Sequence, residues 1–455
     1  MAERTPGTPG TPLPPVPPPV PDAPLDGSSD DAHAMGLAPV TVLRQIAAAC
    51  TYPELLEDPA VPEGARCRAR RILQEMEAGN IGSYNHEHRA LGVPRRVAQF
   101  LQRRDAGVPS DPHSIVLTNG TSSILPFVMS LLVDVTSACP TGVLVPVPGP
   151  PVHARAAGLA GAVAVPYPLA EEQGWAVDVG TVRQELRRAR ARCHPKVLCV
   201  VNPGDPTGHV LSQQNMVDII QLVAEENLLL LADEGQQDRA FDPDQPFVSF
   251  RRVLWEMGAP FSSTIQIISF YSLSKSIAGE SGFRVGFLEL VNVEQAVVRP
   301  FHLAQSIPRP CVLGRILLDI LMGPPDKGDP IQQALEEQQQ RLCHHLAQQW
   351  QLLQEVLAQG SLRCQPGQGG ARACPRLQLP PRALRQAQEL GLEPDVFFCQ
   401  QLLEATGVLL APGSEFGQAE GTQHVVVSLL PPAATLKSVL LALTHFHTTF
   451  IQAFS

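Results

Sequence analysis

From about Val40 onward, short apolar runs recur along the chain, separated by polar stretches. Five of them, Val143–Val145, Val197–Val201, Leu228–Leu231, Ile265–Ser269 and Phe287–Leu290, are rich in β-branched residues and lack an exposed polar face. Such continuous runs read as parallel strands buried on both sides. Between the second and third, Met216, Ile219, Ile220 and Val223 fall at i, i+3, i+4 and i+7, which predicts a helix with one apolar stripe. Strand, helix and strand within about 35 residues make a βαβ unit, and parallel pairing requires the crossover. Such sheets collect ligands at the carboxyl ends of their strands. The Gln- and Leu-rich stretch Pro330–Leu357 predicts a long connecting helix, followed by a smaller α+β unit.

The first 26 residues have a different composition. Pro14-Pro15-Val16-Pro17-Pro18-Pro19-Val20-Pro21 lies at their centre. Proline fixes φ and removes amide donors, so this stretch is expected to be an extended, disordered tail unable to join a core. An SH3 or WW groove is the partner such a sequence would suit.

Composition narrows the class. The chain of 455 residues is 44% hydrophobic, with a formal net charge of -10. That charge argues against a nucleic-acid partner. No run approaches the roughly 18 apolar residues of a membrane span, and the amino terminus lacks a signal-peptide pattern. The ten cysteines form no C-x-x-C pair, which suits reduced thiols, and cytoplasmic localisation is expected. No ligand set stands at metal spacing.

The strand ends carry candidate chemistry. The third run leads into Ala232-Asp233-Glu234 and the fourth into Ser269-Phe270-Tyr271-Ser272-Leu273-Ser274-Lys275, with Arg284 nine residues beyond. The second ends in the turn Asn202-Pro203-Gly204-Asp205-Pro206-Thr207-Gly208. A lone lysine is ordinarily a solvated surface residue. Lys275 instead follows a buried strand among Ser272, Ser274, Ser276 and Gly279. That setting suits an aldehyde cofactor bearing a phosphate: the amine condenses with the aldehyde, hydroxyls and guanidinium hold the phosphate, and a carboxylate keeps a pyridine nitrogen protonated.

These motifs resemble class I aminotransferases. Pro412-Gly413-Ser414-Glu415-Phe416-Gly417-Gln418, Glu420-Gly421-Thr422, Gly82-Ser83-Tyr84, Arg103-Arg104-Asp105 and Leu430-Pro431-Pro432 resemble the alanine aminotransferase family in particular. The resemblance runs from about Ala34 to Ser455 and implies an α/β fold of type I. That fold has a large domain with a mostly parallel sheet flanked by helices, and a smaller α+β domain. On it, residues 27–75 serve the small domain and the dimer, 76–330 form the cofactor domain, 331–361 connect, and 362–455 form the small domain. It implies pyridoxal 5'-phosphate (PLP) on Lys275, with Asp233 at the ring nitrogen and Ser272, Arg284, Thr121 and Ser122 around the phosphate. It further implies a homodimer in which Tyr84 reaches the neighbour's phosphate, and exchange of an amino group between L-alanine and a 2-oxo acid such as 2-oxoglutarate.

Several positions depart from the family pattern. Val426 stands where an arginine grips the substrate carboxylate with two parallel hydrogen bonds, which valine cannot make. Asp205 replaces the asparagine at the cofactor's phenolic oxygen, and Gln236 replaces a tyrosine with a similar task. Pro150 takes the place of the aromatic that covers the ring, with His153 a candidate substitute. Asp30 replaces a glycine facing the substrate carboxylate. Arg372, where the family has an aromatic, either supplies a replacement guanidinium or points to solvent. Two readings therefore remain open: an aminotransferase with weakened or altered activity, and a PLP-binding pseudoenzyme acting as a dimeric regulatory protein.

Overall fold

The computed structural model describes residues 24–76, 79–82, 92–134, 136–303, 310–323 and 330–455. The proline-rich stretch up to residue 23, with its expected SH3 or WW partner, and Tyr84 lie outside these residues. Leu25 and Asp26, expected in the tail, instead form a strand, β1, beside Val408–Leu409.

Seven strands make the central sheet: β2 (Ile115–Thr118), β3 (Thr141–Val147), β4 (Val163–Pro168), β5 (His194–Val201), β6 (Leu229–Asp233), β7 (Ile267–Ser272) and β8 (Gly286–Val291). Their order is β2-β8-β7-β6-β5-β3-β4. The β3, β5, β6 and β7 pairings are parallel, and these strands are buried on both faces. The helix Gln213–Glu226 crosses from β5 to β6 and buries Met216, Ile219, Ile220 and Val223. Ser212 caps it, its hydroxyl accepting the Asn215 amide at 3.1 Å.

One expectation fails. Phe287–Leu290 lies within β8, which runs antiparallel to both its neighbours. Between β7 and β8 the described chain forms only the 3-10 turns Leu273–Lys275 and Ser281–Phe283, with no crossover helix, so it returns beside β7 in the opposite sense. That return loop carries Lys275 and Arg284.

The helix Pro330–Leu357 spans the predicted connector and buries Leu342, Leu346, Trp350 and Leu353 in the second core. There the C-terminal helix Ala433–Phe454 packs with a three-stranded antiparallel sheet in the order β11-β12-β9. Its strands are β9 (Arg372–Ala373), β11 (Ala411–Pro412) and β12 (Val425–Ser428); β10 (Val408–Leu409) pairs with β1. Among the described residues no helix is long and apolar enough to cross a membrane.

The amino-terminal segment is fastened to this second unit. Gly27 donates its amide to Leu409 O at 2.9 Å, and its carbonyl accepts the Ser428 amide at 2.7 Å. Asp26 Oδ1 accepts from the Ser28 amide and hydroxyl at 2.8 and 2.7 Å, turning the chain toward the central sheet. Ala32 then reaches the loop after Lys275, where Gly279 has φ of +61° and an added Cβ would lie 2.8 Å from the Ala32 Cβ. Gly279→Val is therefore expected to lose about 2 kcal/mol or more from backbone strain and collision. Thermal unfolding checks the loss, and faster proteolysis between residues 25 and 37 checks that the segment has lifted.

Candidate active site

Asp233 ends β6 and Ser272 ends β7, which places both at the carboxyl edge of adjacent strands. A cavity of about 560 Å³ opens there. Its wall includes Thr121, Ser122, Asp205, Asp233, Gln236, Ser272, Lys275, Arg284 and Arg372, which are the candidate cofactor and substrate residues other than Tyr84 and His153. Asp30 joins them from the amino-terminal segment.

One end of the cavity is built for an anion. The helix Thr121–Leu132 is preceded by Gly120, whose φ is +91°, and its first residues, Thr121 and Ser122, line this end. A Cβ on Gly120 would lie 3.1 Å from Arg284 Nη2 and 3.7 Å from Ser272 Oγ, so only glycine leaves the cup open. Arg284 itself sits at φ +45°, in the left-handed region, and donates to Ser274 Oγ at 3.3 Å and Asn119 O at 3.3 Å. A helix amino terminus, hydroxyls and a guanidinium together suit a phosphate.

Asp233 is oriented from two sides. Its Oδ1 accepts the Gly235 amide at 3.1 Å, and its Oδ2 lies 3.2 Å from His153 Nε2. His153 Nδ1 is 3.3 Å from Pro150 O. His153 is only 1% exposed and is absent from the cavity wall, so it does not replace the missing aromatic cover. Its ring contacts the carboxylate of Asp233 instead.

The middle of the cavity is a closed ring of alternating charge. Lys275 Nζ contacts Asp30 Oδ2 and lies 3.6 Å from Asp205 Oδ2. Arg372 Nη2 meets Asp30 Oδ2 at 2.7 Å, and its Nη1 meets Asp205 Oδ1 at 3.1 Å. Burial opposes ionisation of Asp30, yet Lys275 and Arg372 outweigh it and hold the carboxyl well below its usual range. Asp205 shows the same balance of burial against Arg372 and Lys275 and is likewise lowered. Burial disfavours the Arg372 charge, but Asp205 and Asp30 prevail and raise its pKa.

Arg372 thus faces the cavity, not solvent, and its guanidinium lies 5.3 Å over the Phe416 ring. Val426 is fully buried and packs with Cys374 and Phe416 on the same face of the small sheet. The Asp30 contacts are what sequence left unseen. Its charge was visible, but its partners, Lys275 and Arg372, lie 245 or more residues away in sequence and are set by the β1 pairing.

Behind Asp233, Glu234 belongs to a buried ionic cluster. Its Oε1 accepts the Phe250 amide at 2.8 Å, while Arg104 Nη1 is 3.8 Å from Oε2. Arg104 pairs with Asp105 at 2.8 Å, and Arg251 bridges Asp105 at 2.9 Å and Glu289 at 3.2 Å. Burial exceeds the pull of Arg104 and pushes Glu234 up to about 7.

A lysine at the end of β7, an aspartate at the end of β6 and an anion cup at a helix start, all on a mainly parallel sheet, define an aminotransferase of fold type I. The solved structures agree on the fold. An aminotransferase from Escherichia coli superposes with a TM-score of 0.73 at 18% identity, over 95% of this chain and 92% of that one. An alanine aminotransferase from Pyrococcus furiosus gives 0.70 at 17%, over 94% and 92%. Residues 59–440 match the family described as aminotransferase class I and II. Within that class the chain belongs to the alanine aminotransferase family. It is 42% identical to alanine aminotransferase 2 of Xenopus tropicalis over 93% of this chain and 82% of that protein. It is 41% identical to alanine aminotransferase 1 of Homo sapiens over 93% and 86%.

The cofactor of this family is PLP, and the residues present fit it. The cup held open at Gly120 accepts a phosphate, and the carboxylate of Asp233 suits a protonated ring nitrogen.

The raised pKa of Glu234 has a consequence for stability. A carboxyl that binds its proton more tightly when folded contributes stability present below its ordinary pKa of 4.5 and lost as pH rises through about 7. Glu234→Gln keeps an acceptor for the Phe250 amide and removes that titration. Thermal midpoints measured at pH 5 and pH 8.5 should therefore differ less in the variant, by roughly 2–5 °C.

Proposed function

We propose that the protein is a PLP-dependent aminotransferase whose grip on the α-carboxylate of an amino acid is weakened. The observation that carries this reading is one cavity in which the cofactor residues are retained while the guanidinium in its middle, Arg372, is held by two internal carboxylates. PLP, when bound, supplies a carbonyl carbon that takes up an amino group and a ring that withdraws electron density. Lys275 holds the cofactor and, once released, moves a proton at the carbon bearing the substrate's amine. Asp233, steadied by His153, keeps a proton on the ring nitrogen. Thr121, Ser122, Ser272 and Arg284 anchor the phosphate, and Gln236 donates near the ring's oxygen. Tyr84 completes the phosphate site of a second copy in a homodimer, and the protein works in the cytoplasm.

The alanine–2-oxoglutarate exchange of the family needs a bidentate partner for a carboxylate. Val426 supplies none, and such a pair in a closed site is worth roughly two to four decades in kcat/KM. A second reading, a PLP-binding pseudoenzyme with a regulatory task, draws on the contact between Lys275 and Asp30.

Borohydride reduction followed by mass spectrometry should find a pyridoxyl group on Lys275, and its absence would defeat the cofactor assignment. Turnover of L-alanine with 2-oxoglutarate should fall about 100-fold or more below that of human alanine aminotransferase 1 measured alongside. Turnover equal to that relative's would overturn the weakened grip. Labelled protein with no turnover of any amine donor would favour the second reading. Arg284→Ala should weaken PLP binding about 10- to 100-fold, read by cofactor release on dilution, since one charge-assisted phosphate contact is lost. Light scattering should return twice the chain mass of 49.0 kDa.

A further inference from the structure

The ring formed by Lys275, Asp30, Arg372 and Asp205 bears on which amine the site accepts. Each cation lies between two carboxylates, and each carboxylate between two cations. Lys275 is the one corner that changes charge when the cofactor is loaded, because an amine that condenses with an aldehyde gives up its place as a free ammonium. Asp30 and Asp205 then face the vacated corner with Arg372 in contact with both, and with Arg239 acting on them more weakly from behind the wall. A cation arriving there restores the alternation, and an anion adds a third negative charge beside two carboxylates.

The other cations on the wall do not alter this. Arg284 belongs to the phosphate cup, and Arg155 is solvent-exposed. Arg239, buried off the cavity wall, donates to Gln236 Oε1 at 3.4 Å and adds a weaker positive charge to both aspartates than Arg372 does. Both terminal nitrogens of Arg372 are taken, and its Nε is buried.

From this geometry we propose that Asp30 and Asp205 are specificity-determining residues that select a primary amine lacking an α-carboxylate over an α-amino acid. Before it loses a proton and condenses, freeing Lys275, the substrate's ammonium takes the corner that Lys275 leaves. The carboxylate of Asp30, already on Arg372, stands where an amino acid would place its own. The inference rests on PLP being held by Lys275, so its test must separate the two.

Protein loaded with PLP and desalted is titrated with ethylamine and with L-alanine, which differ only in the carboxylate. The readouts are the change in visible absorption of the bound cofactor and the shift in thermal midpoint. Ethylamine should half-saturate at a concentration at least about tenfold lower, and Asp30→Asn should reduce that preference about tenfold or more. Asp30→Glu should keep most of it. If Asp30→Asn fails to load cofactor, Asp205→Asn gives the same comparison. L-alanine saturating at the lower concentration in the unmodified protein, or a preference unmoved by the asparagine variants, overturns the proposal. Borohydride labelling of the same preparations separates the two causes. An unlabelled Lys275 overturns the cofactor assignment and this inference together, whereas a labelled Lys275 with alanine preferred overturns this inference alone.

Discussion

A carboxylate drawn out of water must meet a cation, and two carboxylates in one cavity must meet more than one. Asp205 is buried and Asp30 half-buried, and both are held ionised chiefly by Lys275 and Arg372, which lie between them. Removing one member would leave each of its neighbours with one partner instead of two, a loss felt most at the buried Asp205. The substitutions that look like damage when taken singly are therefore interdependent. Asp30 without Arg372 would repel Asp205, and Arg372 without the two aspartates would be a free anion grip. The three read together as one remade interior, while the phosphate cup around Gly120 and the carboxylate of Asp233 keep the family's form.

How much of this could be read from sequence varies with the range of the interaction. The cofactor half was legible because its residues follow strand ends at fixed spacing. Lys275, Ser272 and Arg284 share one loop, and Asp233 directly ends an apolar run. The direction of β8 was not legible from its apolar run, since parallel and antiparallel buried strands look alike; the lack of a helix between Ser272 and Gly286 was the available signal. The orientation of Arg372 on a two-residue strand depended on which face met the sheet, and pairing with Ser428 settles it. His153 was misplaced because its neighbour in sequence, Pro150, suggested a ring cover, whereas its ring reaches Asp233. The partners of Asp30 required knowing that Leu25 pairs with Val408, a contact with no local sign.

The buried cluster behind the site shows a second way of handling charge. Glu234 lies one residue from Asp233, yet its nearest guanidinium is 3.8 Å away and Arg104 is shared with Asp105. Burial therefore prevails at Glu234, while the neighbouring cavity keeps its carboxylates ionised. Adjacent positions in one strand end thus face opposite electrostatic surroundings because their side chains leave the sheet on opposite faces.

The route of the amino-terminal segment adds a mechanical aspect. Asp30 is carried by backbone bonded to β10 and β12, and Arg372 rides on β9 beside them, whereas Asp205 and Lys275 belong to loops of the seven-stranded sheet. The ionic ring is consequently a clasp between two cores that share few strands. Any motion that parts those cores must stretch the two contacts that cross between them, Lys275 with Asp30 and Arg372 with Asp205, while the other two stay within one side each, so salt that screens the crossing pairs eases the parting.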